Sequence, residues 1–176
     1  MTDSASIRQF ERLVMPHLDA AHNLARWLTR DAADAEDVTQ EAMVRALRFF
    51  HGFESGEDAR PWLLAIVRNA CFDWLRRNRP AAMVGNGETV LERLESDGDN
   101  PERAALRNDE KSHVDQAVAA LPLEFREVIV LREFEDLSYK EIAAIVGIPM
   151  GTVMSRLARA RGLLRGMLGG EGGHGM

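Results

Sequence analysis

Towards its C-terminal end the chain sets Thr152, Ser155, Arg156 and Arg159 at spacings of i, i+3, i+4 and i+7. Val153, Leu157, Ala160 and Leu164 fall on the opposite side of the same helical repeat. Hydroxyls and guanidinium groups on one helix face suit nucleic acid, because arginine grips guanine O6/N7 or a phosphate with two parallel bonds. A helix laid in the major groove carries such residues in its N-terminal half, and the Gly151 and Thr152 amides at its start suit a phosphate. A second set, Asn69, Asp73, Arg76 and Arg77, lies on or near the side of a helix opposite Ile66, Val67 and Ala70. Spacing alone leaves its use open, since arginines near a helix C-terminus also answer the macrodipole. The three tryptophans with Phe49, Phe50 and Phe53 are stacking surfaces for unpaired bases or material for a core, and Trp74 is expected inside.

Catalytic chemistry finds no comparable support. His17, His22, His51, His113 and His174 are scattered, with no metal-ligand spacing on one helix face. The single Cys71 excludes an internal disulfide and a Cys-cluster metal site, and it is expected as a packed thiol beside the buried face of its helix. No phosphate-binding loop, dinucleotide fingerprint or nucleophile elbow is present. The expectation is a protein with no catalytic residue, no metal and no cofactor.

The elements that must position these residues read as helices throughout. Ile7, Phe10, Leu13 and Val14 form one stripe, and Leu18, Ala21, Leu24, Ala25 and Leu28 resume it after Pro16. Asp34 to Asp37 is an acidic helix start in front of a stripe of Val38, Ala42, Ala46 and Phe49. Pro61 is expected to open a third helix, with Leu63, Ile66, Val67, Ala70, Trp74 and Leu75 inward and Pro80 as its stop. Pro80, Gly85, Asn86, Gly87, Gly98, Asn100 and Pro101 then mark an acidic linker. Helical signals return with Val114, Ala117, Val118 and Leu121, and Pro122 opens a helix running towards Asp136. Ser138 and Glu141 form a capping box, Gly147 a C-cap, and Pro149 with Gly151 a tight turn into the last helix: a helix-turn-helix. The glycine-rich tail from Gly166 is expected to be disordered. The predicted architecture is all-α, two small helical domains at 1–80 and 111–168 joined by a flexible acidic linker at 81–110, with a disordered tail at 169–176.

Charge follows these boundaries. The chain of 176 residues has a net charge of −6, which by itself speaks mildly against a nucleic-acid binder. By segment, however, residues 60–79 and residues 151–165 each carry a net +4, all from arginine, within otherwise acidic surroundings. No stretch has the roughly 18–20 consecutive apolar residues of a membrane span, and the N-terminus lacks the basic patch and apolar run of a signal peptide. A cytoplasmic protein without membrane insertion is expected.

Four blocks in order resemble the extracytoplasmic-function (ECF) sigma factors of bacterial RNA polymerase. They are Asp34–Leu47, Arg60–Arg77, Ala120–Leu131, and Leu137–Gly147 closing with Gly151–Leu157. The resemblance implies a promoter-specificity subunit in which residues 1–80 are sigma domain 2 and residues 111–168 are sigma domain 4. Asp37, Gln40, Glu41 and Arg45 would dock on the polymerase β′ clamp helices. The loop from Gly52 to Asp58 and Asn69, Asp73, Arg76 and Arg77 would take the −10 element as melted strand. Thr152, Ser155, Arg156 and Arg159 would read the −35 duplex. Core polymerase, including its β flap, promoter DNA and an anti-sigma factor that occludes both domains are the implied partners, and stress response is the implied setting. Met154 departs from the pattern, standing where many relatives have lysine, and the loop Phe53–Asp58 is acidic for a neighbour of DNA. A stand-alone helix-turn-helix regulator and a sigma-like decoy for an anti-sigma factor are the competing classes. The first usually adds a ligand pocket or receiver domain, which the chain lacks, and the intact arginines speak against the second.

Overall fold

The computed structural model describes residues 3–54, 56–83 and 110–169, and every regular element among them is helical. In the first half α1 spans Ser4–Leu13, α2 Leu18–Thr29, α3 Ala32–Phe49 and α4 Ala59–Asn78. In the second, α5 spans Glu110–Ala120, α6 Leu123–Ile129, α7 Tyr139–Val146 and α8 Met150–Gly169. The linker expected over 81–110 lies outside the described residues except at its two ends, where Pro80–Met83 forms a short 3₁₀ turn and Glu110 begins α5.

Aspartates cap the starts of α1, α3 and α4, the first through Asp3, which accepts from the Ser6 amide at 2.7 Å. Asp31 accepts a hydrogen bond from the Asp34 amide at 2.9 Å, so α3 starts at Ala32 and the acidic run Asp34–Asp37 sits inside its first turns. Asp58 likewise accepts from the Arg60 amide at 3.0 Å, starting α4 two residues before Pro61. Pro61 is tolerated there because the first-turn amides have no intrahelical acceptor. The stripe of α3 differs from expectation at one end: Val38, Ala42 and Ala46 are buried, but Phe49 is exposed and Phe50 takes the interior place. Phe50 meets Phe10 edge-on at 5.4 Å and stacks on Phe53 at 5.6 Å, and Phe53 leans on Trp62 at 5.1 Å. Trp74 is half-buried rather than interior.

The helix-turn-helix forms as its caps dictate. Ser138 Oγ accepts from the Glu141 amide at 3.0 Å while a Glu141 carboxylate oxygen accepts from the Ser138 amide at 2.9 Å. Gly147 ends α7 at φ 80°, a left-handed conformation that glycine adopts without a Cβ penalty. α7 and α8 then meet at 99°. Gly151 lies in the first turn of α8 rather than in the turn before it, and α8 continues through Gly166 to Gly169. Leu163, Leu164 and Met167 pack against the core and offset the roughly 1 kcal/mol that each helical glycine costs. The disordered tail expected from Gly166 therefore starts later, and residues 170–176 lie outside the described part.

The two halves are not separate bodies. α4 packs on α7 and α2 packs on α6, so the helix-turn-helix lies against the bundle. Among the described residues no single helix is long and apolar enough to cross a membrane.

Candidate nucleic-acid interface

Burial of Val153, Leu157 and Ala160 fixes the rotation of α8 about its axis. The outward face that results carries Gly151, Met154, Ser155, Ala158 and Arg159, all exposed. Ser155 Oγ donates to the Thr152 carbonyl at 3.1 Å, and the Arg159 guanidinium sits 5.6 Å from the centre of the Phe125 ring. Thr152 and Arg156 are half-buried to one side, where the Arg156 charge acts on Glu127. The four residues read from spacing thus divide, with Ser155 and Arg159 outermost and Thr152 and Arg156 turned towards the rest of the protein. Met154 and Ala158 join the outer face. Spacing places both at i+3 and i+7 from Gly151; Met154 is marked in the sequence only as a departure from a lysine pattern, and Ala158 carries no polar group to mark it.

On the bundle, residues expected in two separate roles share one network. Arg45 donates to Asp73 at 3.0 Å and to Glu41 at 3.2 Å, Arg76 donates to Asp73 at 3.2 Å, and Arg77 lies 3.6 Å from Glu41. Burial alone would lower the Arg45 pKa, but the bonds to Asp73 and Glu41 outweigh it and raise the value. Glu41 and Arg45 on α3 are thereby coupled to Asp73, Arg76 and Arg77 on α4. Asn69 stands exposed beside them, with Arg68 donating to its side-chain oxygen at 3.5 Å. Asp37 and Gln40 are exposed on α3, in line with Val44 and Leu47, which are 56% and 36% exposed. Positions 37, 40, 44 and 47 form one ridge (i, i+3, i+7, i+10), a docking surface with an apolar half that a reading confined to polar residues omits. In the loop from Gly52 to Asp58, Gly56 takes φ 112° and Phe53 turns to the core cluster, while Ser55 lies outside the described residues.

The cationic helix at 60–79 is not the bare positive track its segment sum implies. Each of its five arginines meets a carboxylate: Arg60 with Glu135 at 2.8 Å, Arg68 with Glu127 at 2.8 and 3.2 Å, Arg76 with Asp73, Arg77 with Glu41, and Arg79 with Asp34 at 2.8 Å. Summing charge along the chain cannot see partners that come from α3 and from the second half.

Two of those pairs cross the seam between the halves, and they have company. Arg126 is 2% exposed and donates to the carbonyls of Leu121 at 2.7 Å and Ala119 at 3.2 Å, closing the end of α5. Its other nitrogen donates to the Leu28 carbonyl at 3.2 Å, at the end of α2 in the other half. One buried cation thus answers the unpaired carbonyls of two helix ends. Arg60 also donates to the Glu135 carbonyl, and Trp27 stacks on Phe134 at 5.0 Å. Arg68 lies over the Phe72 ring at 3.7 Å while holding Glu127, which is 1% exposed. Burial pushes the Glu127 carboxyl up, opposed first by Arg68 and then by Arg156 and Arg126. Nearby, Cys71 is fully buried, and burial with the Glu127 charge pushes its thiol up to about 12. Arg126 and Glu127 had one visible signal in the sequence: two adjacent charges inside the apolar run Leu121–Leu131. Among the described residues no cluster of three or more His, Cys, Asp or Glu is placed to hold a metal ion.

Comparison with known proteins matches both halves. The family model for Sigma-70 region 2 covers residues 13–81 and that for Sigma-70, region 4 covers residues 113–164. The ECF RNA polymerase sigma factor SigE of Mycolicibacterium smegmatis is 35% identical over 94% of this chain, which spans 64% of that relative's length. The RNA polymerase sigma-H factor of Pseudomonas aeruginosa is 36% identical over 88% of this chain and 83% of its own length. SigW of Bacillus subtilis is 32% identical over 90% of this chain and 88% of its own length. Two solved structures share the arrangement. The sigma factor RpoE in complex with the anti-sigma factor NepR from Bartonella quintana superposes at a TM-score of 0.70, with 25% identity, over 93% of this chain and 99% of that one. CnrH in complex with the cytosolic domain of CnrY gives 0.65 and 29% over 93% of this chain and 90% of that one.

Proposed function

The chain belongs to the ECF sigma factors of bacterial RNA polymerase, and on that premise we propose how its residues divide the work of initiation. Residues 1–80 bind core polymerase and the −10 element, residues 111–168 bind the −35 element, and residues 81–110 connect them. Asp37 and Gln40, with the apolar Val44 and Leu47 on the same ridge, dock on the β′ clamp helices. Glu41 and Arg45 belong to the same docking surface and couple it to Asp73, Arg76 and Arg77, which with Asn69 take the melted −10 strand, where contacts to its phosphates and to a captured base must offset the cost of unstacking. Ser155 and Arg159 on α8 read the −35 duplex in the major groove, flanked by Thr152 and Arg156. The second half also meets the β flap. The chain works in the cytoplasm as a non-catalytic subunit.

The observation that carries this reading is the capped helix-turn-helix whose recognition helix exposes arginine without a carboxylate on its outward face. A cationic, acid-free face is the electrostatic footprint of duplex binding. The closed seam supplies the control. Elements near −10 and −35 are roughly 25 base pairs apart, about 85 Å of duplex at 3.4 Å each. A folded chain of this size has a radius of gyration of only about 16 Å. With α7 packed on α4, both elements are out of reach together, so the halves must separate on the polymerase. Alone, the chain keeps five arginines of α4 paired with its own acids and binds promoters weakly. An anti-sigma factor that grips both halves holds this closed form, as suggested by the complexes in which RpoE and CnrH were solved.

Run-off transcription with purified core polymerase tests the assignment. A start confined to a promoter and present only when the chain is added supports it. Core polymerase that behaves identically with and without the chain refutes it, and tight, salt-sensitive duplex binding by the chain alone would instead mark a stand-alone regulator.

A further inference from the structure

On α8, the helix proposed above to read DNA, three large apolar side chains face solvent, Leu168 at its far end and two in its first turns. Met154 is 53% exposed and Met150, one turn earlier, is 48% exposed. Ala158, one turn beyond Met154, is exposed as well. The side chains that α8 needs for packing are elsewhere, on the buried face of Val153, Leu157 and Ala160. Met154 therefore does nothing for the core. It lies directly beside Ser155 and five residues before Arg159, inside the arc that enters the groove if α8 is the recognition helix.

The surroundings restrict what covers it. From Gly151 to Arg165 the helix carries Arg156, Arg159, Arg161 and Arg165 and no acid, so the complementary surface is anionic. Arg161 is engaged by Glu133 at 2.8 Å and Arg159 leans over Phe125, which leaves the Met154–Ala158 strip framed by cations rather than crossed by them. An anionic partner with an apolar group at helix-groove depth describes duplex DNA at a thymine, whose C5-methyl is the one apolar group that base edges present in the major groove. A thioether fits this group well, being unbranched, polarizable and adaptable in rotamer.

We propose that Met154, extended by Ala158, is a specificity-determining residue that packs on thymine C5-methyl groups of the −35 element, next to the base read by Arg159. This rests on the reading of α8 as the recognition helix. Two chemistries then alternate along one face: hydrogen bonding by Ser155 and Arg159, and methyl packing by Met154 and Ala158. The chain accordingly prefers thymine over cytosine at one or two −35 positions where no hydrogen bond from the protein makes the choice.

The test removes only the methyl groups. A −35 duplex is selected from a random library with the full chain on core polymerase, and each thymine is replaced in turn by deoxyuridine, which keeps every hydrogen-bonding group. At one or two positions the substitution should weaken promoter-dependent initiation about three- to fivefold, the effect of losing one buried methyl group. In Met154→Ala the substitution should have no further effect at one or more of these positions, the one packed by Met154, and in Met154→Leu sensitivity there should return. Deoxyuridine without effect at every position, or an equal loss in Met154→Ala, overturns the proposal while leaving the recognition-helix reading intact. Failure to select any −35 sequence overturns both.

Discussion

Replacing Glu127 by glutamine should loosen the seam that keeps the two halves together. Glu127 is 1% exposed and holds Arg68 through two contacts, at 2.8 and 3.2 Å. The substitution preserves shape and removes charge, leaving the Arg68 guanidinium without its counter-ion over the Phe72 ring. Removing one member of a buried pair costs about 3–5 kcal/mol. Arg68 keeps 17% of its side chain exposed and can turn partly to water, so the lower end, about 3 kcal/mol, is expected. That shifts the balance between closed and open forms on the order of a hundredfold. Two measurements cover both regimes. If closure is far from balance, the loss appears as a fall of roughly 1–2 M in the urea midpoint. If closure is near balance, it appears in the distance between spin labels placed at Arg48→Cys and Arg165→Cys, both exposed sites on opposite halves, as a broader and longer distribution. Replacing Arg68 and Glu127 together by Met and Leu should restore most of the loss, because an apolar pair of similar volume carries no unpaired charge. A Glu127→Gln chain with unchanged midpoint and unchanged label distance would refute the claim that this pair holds the seam.

The Cys71 thiol should resist thiol reagents at neutral pH in the folded chain and react on unfolding. Its folded value of about 12 lies above the ordinary 9.0, so its contribution to stability is full below about pH 9 and is lost as pH rises towards 12. Denaturation measured from pH 8.5 upward should therefore steepen more in the parent chain than in Cys71→Ala, by at most about 1.4 kcal/mol per pH unit. Arg159→Ala should cost about 1–3 kcal/mol of −35 discrimination in a competition assay on matched and mismatched promoters; an unchanged preference removes Arg159 from the readout. Gly147→Ala should lower stability by about 1–2 kcal/mol in thermal unfolding, purely from the φ of 80°, since no atom crowds the added Cβ. Asp37→Ala and Val44→Asp should weaken binding to core polymerase without moving the melting temperature, because both positions are exposed; a fall in melting temperature would make them structural.

What could be read along the chain was whatever is local. The Ser138–Glu141 box, the Gly147 cap and the apolar stripe of α8 each depend on residues within one or two turns, and each stands where spacing put it. The starts of α3 and α4 are local too but lie earlier than expected, because Asp31 and Asp58 cap ahead of the more conspicuous Asp34 run and Pro61. The pairing of Arg60, Arg68 and Arg79 was invisible for another reason: their partners Glu135, Glu127 and Asp34 lie between 45 and 75 positions away in the chain. A segment charge of +4 was a true count and a poor guide to surface potential, because folding returned acids to each arginine. Val44 and Ala158 are not legible because their exposure is set by helix rotation, and apolar residues on a helix are otherwise assumed to face inward; Met154 stands out in the sequence only as a departure from a lysine pattern, not as an exposed apolar contact.

What core polymerase does with this chain separates a promoter-specificity subunit from the other classes most directly. Sequencing the 5′ ends of all transcripts made on genomic DNA by core polymerase, with and without the protein, measures it in one experiment. New starts that share two upstream elements at a fixed separation are expected, with the −35 preference altered by Arg159→Ala. Transcript ends identical to those of core polymerase alone would rule out a promoter-specificity subunit.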